Sequence, residues 1–287
     1  MPGPIIAPPL TDTSPDGLRA AIEADSIGTR VLGGELPHEA HVERDAAWAV
    51  GEANDPWVNV VASARFDPSD ADERIERIVA AYDALPSPFL WWRAPFHGPT
   101  DLAERLERAH VYPVGDSPAM AMDLALLGPR PDTAAGFAVR GVVDESGLLD
   151  YIAVLSSDPP PPGAPPMHTP EKTERRLRYV VPSLAREPLP LRLVGYADGR
   201  PVASARLSLA GGAAGIYSIQ TVAGFRGRGY GAAITHDALA RGRELGYRVA
   251  TLQSSDMGYG IYRRLGFEDV FTYQLHVHLP GGARYEG

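Results

Sequence analysis

The 287-residue sequence has no cysteine, one lysine and no long apolar run. The absence of cysteine excludes disulfides, thiolate metal sites and a cysteine nucleophile. No stretch approaches the ~20 consecutive apolar residues of a membrane span, and residues 1–10 lack the basic and apolar regions of a signal peptide. We therefore predict a cytoplasmic protein without a membrane partner. Lys172 is the only lysine among 27 lysines and arginines, a bias that indicates a GC-rich bacterial genome.

The sequence also lacks an excess of positive charge. Its formal net charge is −9, which argues against nucleic-acid binding through a basic surface. A hydrophobic content of 44% and a charged content of 22% are typical of a folded protein. The length suffices for one large domain or two ordinary ones. The acidic balance suits cationic small molecules as partners but identifies none.

A glycine-rich segment, residues 220–231, is the most informative part of the sequence. A strand pattern ends near Val222, and an apolar-periodic helix follows the glycines. Alternate glycines let the backbone approach a ligand, and amides at a helix N-terminus suit a pyrophosphate. The spacing does not fit the dinucleotide fingerprint, and no Gly-Lys-Ser/Thr of a P-loop follows. From this segment alone, a plain turn that happens to carry arginines remains the alternative. The predicted phosphate-binding residues are Arg226, Gly227, Arg228, Gly229, Tyr230 and Gly231.

Strand and helix patterns alternate around this segment. Strands are predicted at 137–143, 191–197, 202–209, 215–222, 248–253 and 270–277. Helices are predicted at 145–156, 171–184, 229–245 and 255–265. The proline run 158–166 is predicted to be a surface loop, with a lid over an acceptor pocket as the alternative.

This order of elements, over residues 137–279, resembles that of the GNAT superfamily of N-acetyltransferases. In that family an Arg/Gln-x-x-Gly-x-Gly/Ala turn binds the pyrophosphate of acetyl-coenzyme A (acetyl-CoA), and residues 226–231 fit it position by position. A second family signature, an aliphatic residue followed by Tyr-x-x-Leu-Gly-Phe, stands at residues 261–267. The resemblance implies an α/β fold that uses acetyl-CoA, without a metal, to acetylate an amine.

The first half of the chain repeats this order at similar spacing, with strands at 57–66, 89–93 and 118–124 and helices at 71–85 and 100–109. We therefore predict an α/β fold of two GNAT-like units, each a mixed, mostly antiparallel sheet flanked by helices. Residues 1–130 would form a degenerate unit and 131–287 the acetyltransferase unit, divided at the proline-rich segment 128–132. The first unit should neither bind coenzyme A nor catalyse. Its turn at 67–72 has no glycine and three carboxylates, and Leu106 stands where the second unit has its signature tyrosine.

The resemblance also implies roles for individual residues of the second unit. Tyr262 would be the general acid for the leaving thiolate, with packing of its helix against the sheet as the alternative. Its reference pKa of ~10 exceeds that of a thiol by ~1.5 units, so proton transfer is uphill by ~2 kcal/mol. The strand end Gln220, Thr221 and Val222 would bind the pantetheine arm, with the Val222 amide polarising the thioester carbonyl. Ser255 would contact the cofactor, with a helix N-cap as the alternative.

The general base is the least defined part of this site. Many relatives have a glutamate on the third strand, but residues 215–222 contain no carboxylate. Tyr217 and Gln220 stand there instead, and neither is a good base. Deprotonation through water and an acceptor of low pKa are the alternatives. Asp256 is a further candidate, either as a base or as an attractor for a cationic acceptor.

Histidines and tryptophans are predicted to be mainly structural. His236 lies inside the helix after the glycine turn. His276 and His278 have chelating spacing, but no carboxylate or cysteine neighbours them, so no metal site is predicted. The tryptophans are expected in the core, with a contribution to an acceptor cleft between the units as the alternative. All four fall in the first unit: Trp48, Trp57, Trp91 and Trp92.

The sequence therefore predicts an N-acetyltransferase that transfers acetyl from acetyl-CoA to the primary amine of a small molecule or a peptide. A non-catalytic acyl-CoA-binding sensor is the alternative, and a longer acyl donor such as succinyl-CoA is a third reading. We expect a monomer or homodimer.

Overall fold

The computed structural model describes residues 5–33, 36–51, 58–84, 87–159, 169–188 and 191–284. The helices are α1 (Pro15–Ser26), α2 (Ala71–Asp83), α3 (Leu102–Arg108), α4 (Glu145–Leu155), α5 (Pro170–Leu184), α6 (Tyr230–Glu244) and α7 (Asp256–Leu265). The strands are β1 (His38–Val42), β2 (Ala46–Gly51), β3 (Val60–Ala64), β4 (Phe89–Arg93), β5 (Tyr112–Asp123), β6 (Phe137–Gly141), β7 (Arg192–Ala197), β8 (Arg200–Ser208), β9 (Ala214–Thr221), β10 (Val249–Gln253) and β11 (Glu268–His278).

These eleven strands form one open sheet in the order β1-β2-β3-β4-β11-β5-β10-β9-β8-β7-β6. The neighbours β3–β4 and β9–β10 are parallel, and the other pairs are antiparallel. The predicted α/β fold with mixed, mostly antiparallel sheets is confirmed. However, β11 lies between β4 and β5, and β5 pairs with β10. Each half of the chain thus contributes a strand to the sheet of the other. A division of the sequence at 128–132 does not describe this exchange.

The two faces of the sheet carry different helices. Ile216 and Leu252 share a core with Ile234 of α6. The next residues along these strands, Tyr217 and Thr251, are hydrogen-bonded to α1. Because successive strand residues point to opposite faces, α6 and α1 lie on opposite sides of the sheet.

Sequence patterns did not predict α1, the π-helical turn Ile27–Leu32 that follows it, β1 or β2. Ser14 caps α1 by accepting a hydrogen bond from Gly17 N, and Pro15 occupies its first turn. The predicted elements are otherwise confirmed with shifted ends. The largest shift is in β5, which begins at Tyr112 rather than at residue 118.

Two sequence predictions fall on parts of the chain outside the described residues. Most of the proline run, residues 160–168, is one of them, so its assignment as a loop or lid stays a prediction. Trp57 is the other. Among the described helices none is both long and apolar enough to cross a bilayer.

Candidate active site

The glycine turn joins β9 to α6. A short 3-10 turn, Ala223–Phe225, follows the strand, and α6 begins at Tyr230. Gly227 and Gly229 have φ values of 77° and 81°, a region that strongly favours glycine. A Cβ at Gly229 would lie 2.5 Å from the Asp132 carbonyl oxygen, whereas one at Gly227 would meet no atom within 4 Å. The backbone at Gly227 is therefore open to an approaching ligand.

The N-terminus of α6 differs from those of the other helices in the second half. The side chains of Asp144, Thr169 and Ser255 cap α4, α5 and α7. In the described part of the chain no side chain caps α6, which follows Gly229 directly. The first amides of a helix lack intrahelical acceptors, and an anion is a natural partner for them. The open turn and the uncapped helix together fit a diphosphate group.

The two arginines of the turn have different partners. Arg226 donates from Nε to the Thr221 carbonyl at 3.0 Å and forms an ion pair with Asp158. Gln220 Nε2 also donates to Asp158 Oδ2, at 2.7 Å. Asp158 thus holds Arg226 at the end of β9. Arg228 is exposed and donates to the Gly224 carbonyl at 3.3 Å, so it lies over the turn itself.

Tyr230 presents only its backbone to the glycine turn. Its side chain is 3% exposed and stacks on Phe137 with ring centroids 4.3 Å apart. The ring belongs to the core beneath α6, which fixes the first residue of the helix.

A gap between two parallel strands lies next to the turn. The β9–β10 ladder contains only the pairs Ala214/Ala250 and Gly215/Thr251. Further along β9, Ser218 has a φ of 53°, and the register with β8 shifts there. This bulge bends β9 away from β10.

The backbone of β9 alternates between its two neighbours beyond the bulge. Val222 N donates to the Val202 carbonyl at 2.9 Å, so this amide is engaged with the β8 side. In an extended strand successive amides point in opposite directions. The Thr221 amide therefore points toward the gap, and the Val222 amide does not.

Tyr262 lies on α7, the helix whose Ile261 approaches the start of α6 next to this gap. The Cβ position of Gly231 is 3.2 Å from Thr221 Oγ1 and 3.9 Å from Ile261 Cδ1, so the helix start, the strand end and α7 meet here. Tyr262 is 7% exposed, and burial raises the pKa of its hydroxyl to about 12. A Cβ at Gly258 would lie 2.6 Å from the Tyr262 ring, so this glycine makes room for it.

Residues 151–267 match the family model described as acetyltransferase (GNAT) family. The matched segment contains the glycine turn and Tyr262 described above. This segment is a GNAT domain.

Solved structures give the same fold for the whole chain. A GCN5-related N-acetyltransferase from Kribbella flavida is 23% identical, with a TM-score of 0.68 over 91% of this chain and 96% of that one. A GCN5-related N-acetyltransferase from Sphaerobacter thermophilus is 19% identical, with a TM-score of 0.60 over 94% of each chain. A tandem GNAT protein from the clavulanic acid biosynthesis pathway is 12% identical, with a TM-score of 0.60 over 96% of this chain and 99% of that one. The chain therefore has the GNAT fold in a tandem arrangement. No curated protein matches its sequence.

Ser255 serves the GNAT domain as a helix cap in this structure. Its Oγ accepts a hydrogen bond from Gly258 N at 3.3 Å, at the start of α7. This matches the alternative given to it from the sequence. Asp256, the next residue, is exposed in the first turn of α7, where a carboxylate favours the helix dipole.

The GNAT domain receives a carboxylate from the other half of the chain. Asp25 of α1 is fully buried and accepts hydrogen bonds from Tyr217 OH at 2.7 Å and Thr251 Oγ1 at 2.8 Å. Burial raises the pKa of Asp25, an effect that its hydrogen bonds oppose. Asp25 was not predicted from the sequence. The signal was present, because the Ser14-Pro15 helix start is followed by an apolar stripe that ends in this acid.

The histidines keep the structural roles expected for them or lie apart from the site. His236 Nε2 is 2.9 Å from the Gly128 carbonyl. His278 contacts Asp83 Oδ1 at 2.9 Å, and His276 is 1% exposed, with burial lowering its pKa to about 4. The described residues contain no group of three or more potential metal ligands.

The described tryptophans divide between two positions. Trp48 and Trp91 pack in the core of the first half. Trp92 lies where the halves meet, because the Arg30 guanidinium is 3.8 Å from its ring centroid and also donates to Gln253 at 2.7 Å.

Proposed function

We propose that the protein is an N-acetyltransferase that transfers acetyl from acetyl-CoA to a primary amine of a small molecule or peptide. The observation that carries this proposal is the uncapped N-terminus of α6, reached through an open glycine turn beside a strand gap. The GNAT fold supports acyl transfer in general. The donor and acceptor are part of the proposal.

Acetyl-CoA supplies an activated thioester when bound. The backbone of residues 227–231 and the Arg228 side chain would hold its diphosphate. The strand end Gln220 to Val222 would pair with the pantetheine arm along the gap. We assign the amide that polarises the thioester carbonyl to Thr221, because the Val222 N–H is engaged with Val202.

Tyr262 would stabilise the leaving thiolate. Its pKa of about 12 lies roughly 3.5 units above that of an ordinary thiol, so complete proton transfer to sulfur is uphill by about 5 kcal/mol. Tyr262 therefore acts by donating a hydrogen bond to the developing charge on sulfur, and the thiolate takes its proton from solvent at the end.

Replacing the Tyr262 hydroxyl distinguishes an enzyme from a coenzyme A sensor. Tyr262→Phe should lower amine-dependent thiol release by about 10²-fold, the usual effect of one lost charge-stabilising donor. Its affinity for acetyl-CoA, measured by calorimetry, should stay within about twofold, because the residues proposed to hold the diphosphate are unchanged. Tyr259→Phe is the matched control, since this exposed tyrosine on the same helix bonds Asp269 instead.

Two results would contradict the proposal. One is wild-type protein that binds no acetyl-CoA at millimolar concentration. The other is binding without thiol release for any amine in a panel of aminoglycosides, polyamines, amino acids and peptides, which would favour the sensor. A parallel panel with succinyl-CoA tests the longer donor. Cytoplasmic location, bacterial origin and a monomeric or dimeric state stay predictions.

A further inference from the structure

The carboxylate that β9 lacks is present in space, although it comes from α1. Asp25 lies against Gly215 and Thr251, the last residue pair of the β9–β10 ladder before the gap. A Cβ at Gly215 would clash with Asp25 Oδ1, and a Cβ at Gly211 would clash with the Asp25 backbone. Two glycines of the second half therefore make room for this acid of the first half.

Asp25 is bonded to hydroxyl groups rather than to cations. Tyr217 OH, Thr251 Oγ1 and Thr29 Oγ1 donate to it at 2.7, 2.8 and 3.0 Å. Thr29 in turn is 2.6 Å from Ser208 Oγ. Tyr217 keeps part of its surface exposed, whereas Asp25 is fully buried. Of this pair, only Tyr217 therefore has exposed surface.

The π-helical turn after α1 places Arg30 beside the same pair. Its guanidinium lies 5.5 Å from the Tyr217 ring centroid and donates to Gln253 Oε1 at the end of β10. Three buried polar atoms here, Arg30 Nε, Trp92 Nε1 and Gln253 Nε2, have no hydrogen-bond partner among the described residues. Buried donors without acceptors are uncommon in proteins, and an ordered water or ion is a common partner for them. π-helical turns are frequent at functional sites.

We propose that Tyr217 and Asp25 form the proton relay that deprotonates the acceptor amine, so that the first half of the chain completes the active site of the second. This inference rests on the proposed acyl transfer. Tyr217 is the catalytic residue that contacts the amine, and Asp25 acts through it.

The relay balances the reaction without another reactant. The amine nitrogen attacks the thioester carbon, the C–N bond forms and the C–S bond breaks. The proton lost by nitrogen passes to the Tyr217 oxygen while the Tyr217 proton passes to Asp25 Oδ2. The thiolate takes a proton from solvent, and Asp25 later returns its proton to solvent. The products are an amide and a free thiol.

The charges around Asp25 are compatible with this role. Burial favours its protonated form, and the charge of Arg30 opposes burial by favouring the carboxylate. The other titratable groups that interact with it are Tyr217 on β9 and Tyr273 on β11. A carboxyl with a raised pKa is a stronger base than an ordinary surface acid.

Two variants and one control test the relay with a single amine substrate. Tyr217→Phe and Asp25→Asn should each lower kcat by about 10²- to 10⁴-fold, the range for loss of general acid–base catalysis. At saturating amine, the acid limb of the kcat profile, which reports groups of the substrate complex, should disappear in both, whereas purely structural damage would lower the rate equally at every pH. Affinity for acetyl-CoA should stay within about twofold of wild type. Glu23→Gln, two residues away on the same helix, should keep the wild-type acid limb.

Near-wild-type turnover of Tyr217→Phe with an unchanged acid limb would overturn the relay while leaving the proposed function intact. If Asp25→Asn does not fold, the pH profile of Tyr217→Phe decides. If wild-type protein releases no thiol with any amine, the proposed function itself is wrong. The relay would then be wrong as well.

Discussion

The two halves of the chain use neighbouring carboxylates of one helix in corresponding strand gaps, with opposite electrostatic results. In the first half, Glu23 accepts hydrogen bonds from Ser63 at 2.9 Å and Arg65 at 2.6 Å and contacts His97 at 3.4 Å. Burial alone would raise the pKa of Glu23, but these partners lower it to about 2. In the second half, hydroxyl groups surround Asp25, and burial raises its pKa. Such divergence between paired acids is typical of a division between structural and chemical roles.

The gaps themselves also differ. The β3–β4 ladder pairs Val60 with Leu90 and Val61 with Trp91, as β9–β10 does at two positions. Beyond it, Gly98 closes the first gap by donating to the Ala64 carbonyl at 3.1 Å and accepting from Phe66 N at 3.2 Å. The second gap has the Ser218 bulge instead. The proposed ligand site therefore lies where strand backbone is left unpaired, and the described residues of the first half have no such place at the corresponding position.

The two turns complete the contrast. In the first half, Asp67 accepts from the Ser69 amide at 2.9 Å and α2 carries Asp72 and Glu73 in its first turn. These carboxylates interact with the positive end of α2, so this helix N-terminus does not favour a further anion. In the second half, glycines and arginines occupy the turn. The proposed anion site of the second unit and its predicted absence from the first thus correspond to differences in local charge and backbone pairing.

The largest loss of turnover is expected when a glycine beside the second gap receives a side chain, as the corresponding position of the first half already has. Val61 and Gly215 are the second residues of their respective parallel ladders. Gly215→Ala places a methyl group against Asp25 Oδ1, so we expect turnover to fall about 10²-fold through misplacement of the relay. The free energy of unfolding should fall by about 1–3 kcal/mol from overpacking. Amine-dependent thiol release and urea denaturation measure the two effects.

Gly128→Ala is the control, because a Cβ there would meet no atom within 4 Å. Acetyl-CoA affinity should be unaffected in both variants. Wild-type turnover in Gly215→Ala would show that Asp25 need not keep its present position.

Most of this contrast could be anticipated from sequence, but its central contact could not. Alternate glycines and the Tyr262 signature predict the turn and α7 because short-range geometry determines both. The acidic turn at 67–72 likewise predicts an inactive first unit. The exchange of β5 and β11 depends on pairing between distant segments, which a local pattern does not encode. For the same reason no motif connects Asp25 with Tyr217.

One local feature also leaves no sign in the sequence. The bulge at Ser218 reverses which amide faces the gap, and strand periodicity alone gives no sign of a bulge. The ion pair of Arg226 with Asp158 joins residues 68 positions apart, so no local pattern predicts it, and the assignment of Arg226 to the diphosphate stays a prediction.

An intermediate effect, on the free energy of unfolding, is expected from replacing Glu23 or Asp25. The pKa of Glu23 in the folded state, about 2, lies below its ordinary value of 4.5. Its ionisation therefore stabilises the fold above pH ~4.5, and this stabilisation is lost as pH falls toward ~2. Glu23→Gln should lower the free energy of unfolding by about 1–2 kcal/mol at neutral pH, allowing for solvent screening. The variant should also show a flatter dependence of that free energy on pH in this range.

Asp25→Asn should behave in the opposite sense. Because the folded-state pKa of Asp25 is raised, its ionisation opposes folding as pH increases, and its replacement should relieve that part of the pH dependence. Urea denaturation at closely spaced pH values measures both variants. Equal pH slopes for the two would refute the assignment of opposite roles.

The smallest effect is expected at the glycine turn. Asp158 places a carboxylate next to this turn, whereas the turn of the first half carries carboxylates in its own sequence. Asp158 and Arg226 are each 33% exposed, so their ion pair is worth at most ~1 kcal/mol. Asp158→Asn frees Arg226 for a diphosphate, and acetyl-CoA should bind up to about fivefold more tightly at low salt. The gain should shrink as salt screens the charges. Asp150→Asn, which removes an acid that bonds Tyr196 instead, is the control in the same calorimetric titrations. Weaker binding in Asp158→Asn would mean that the carboxylate orients Arg226 for the ligand rather than competing with it.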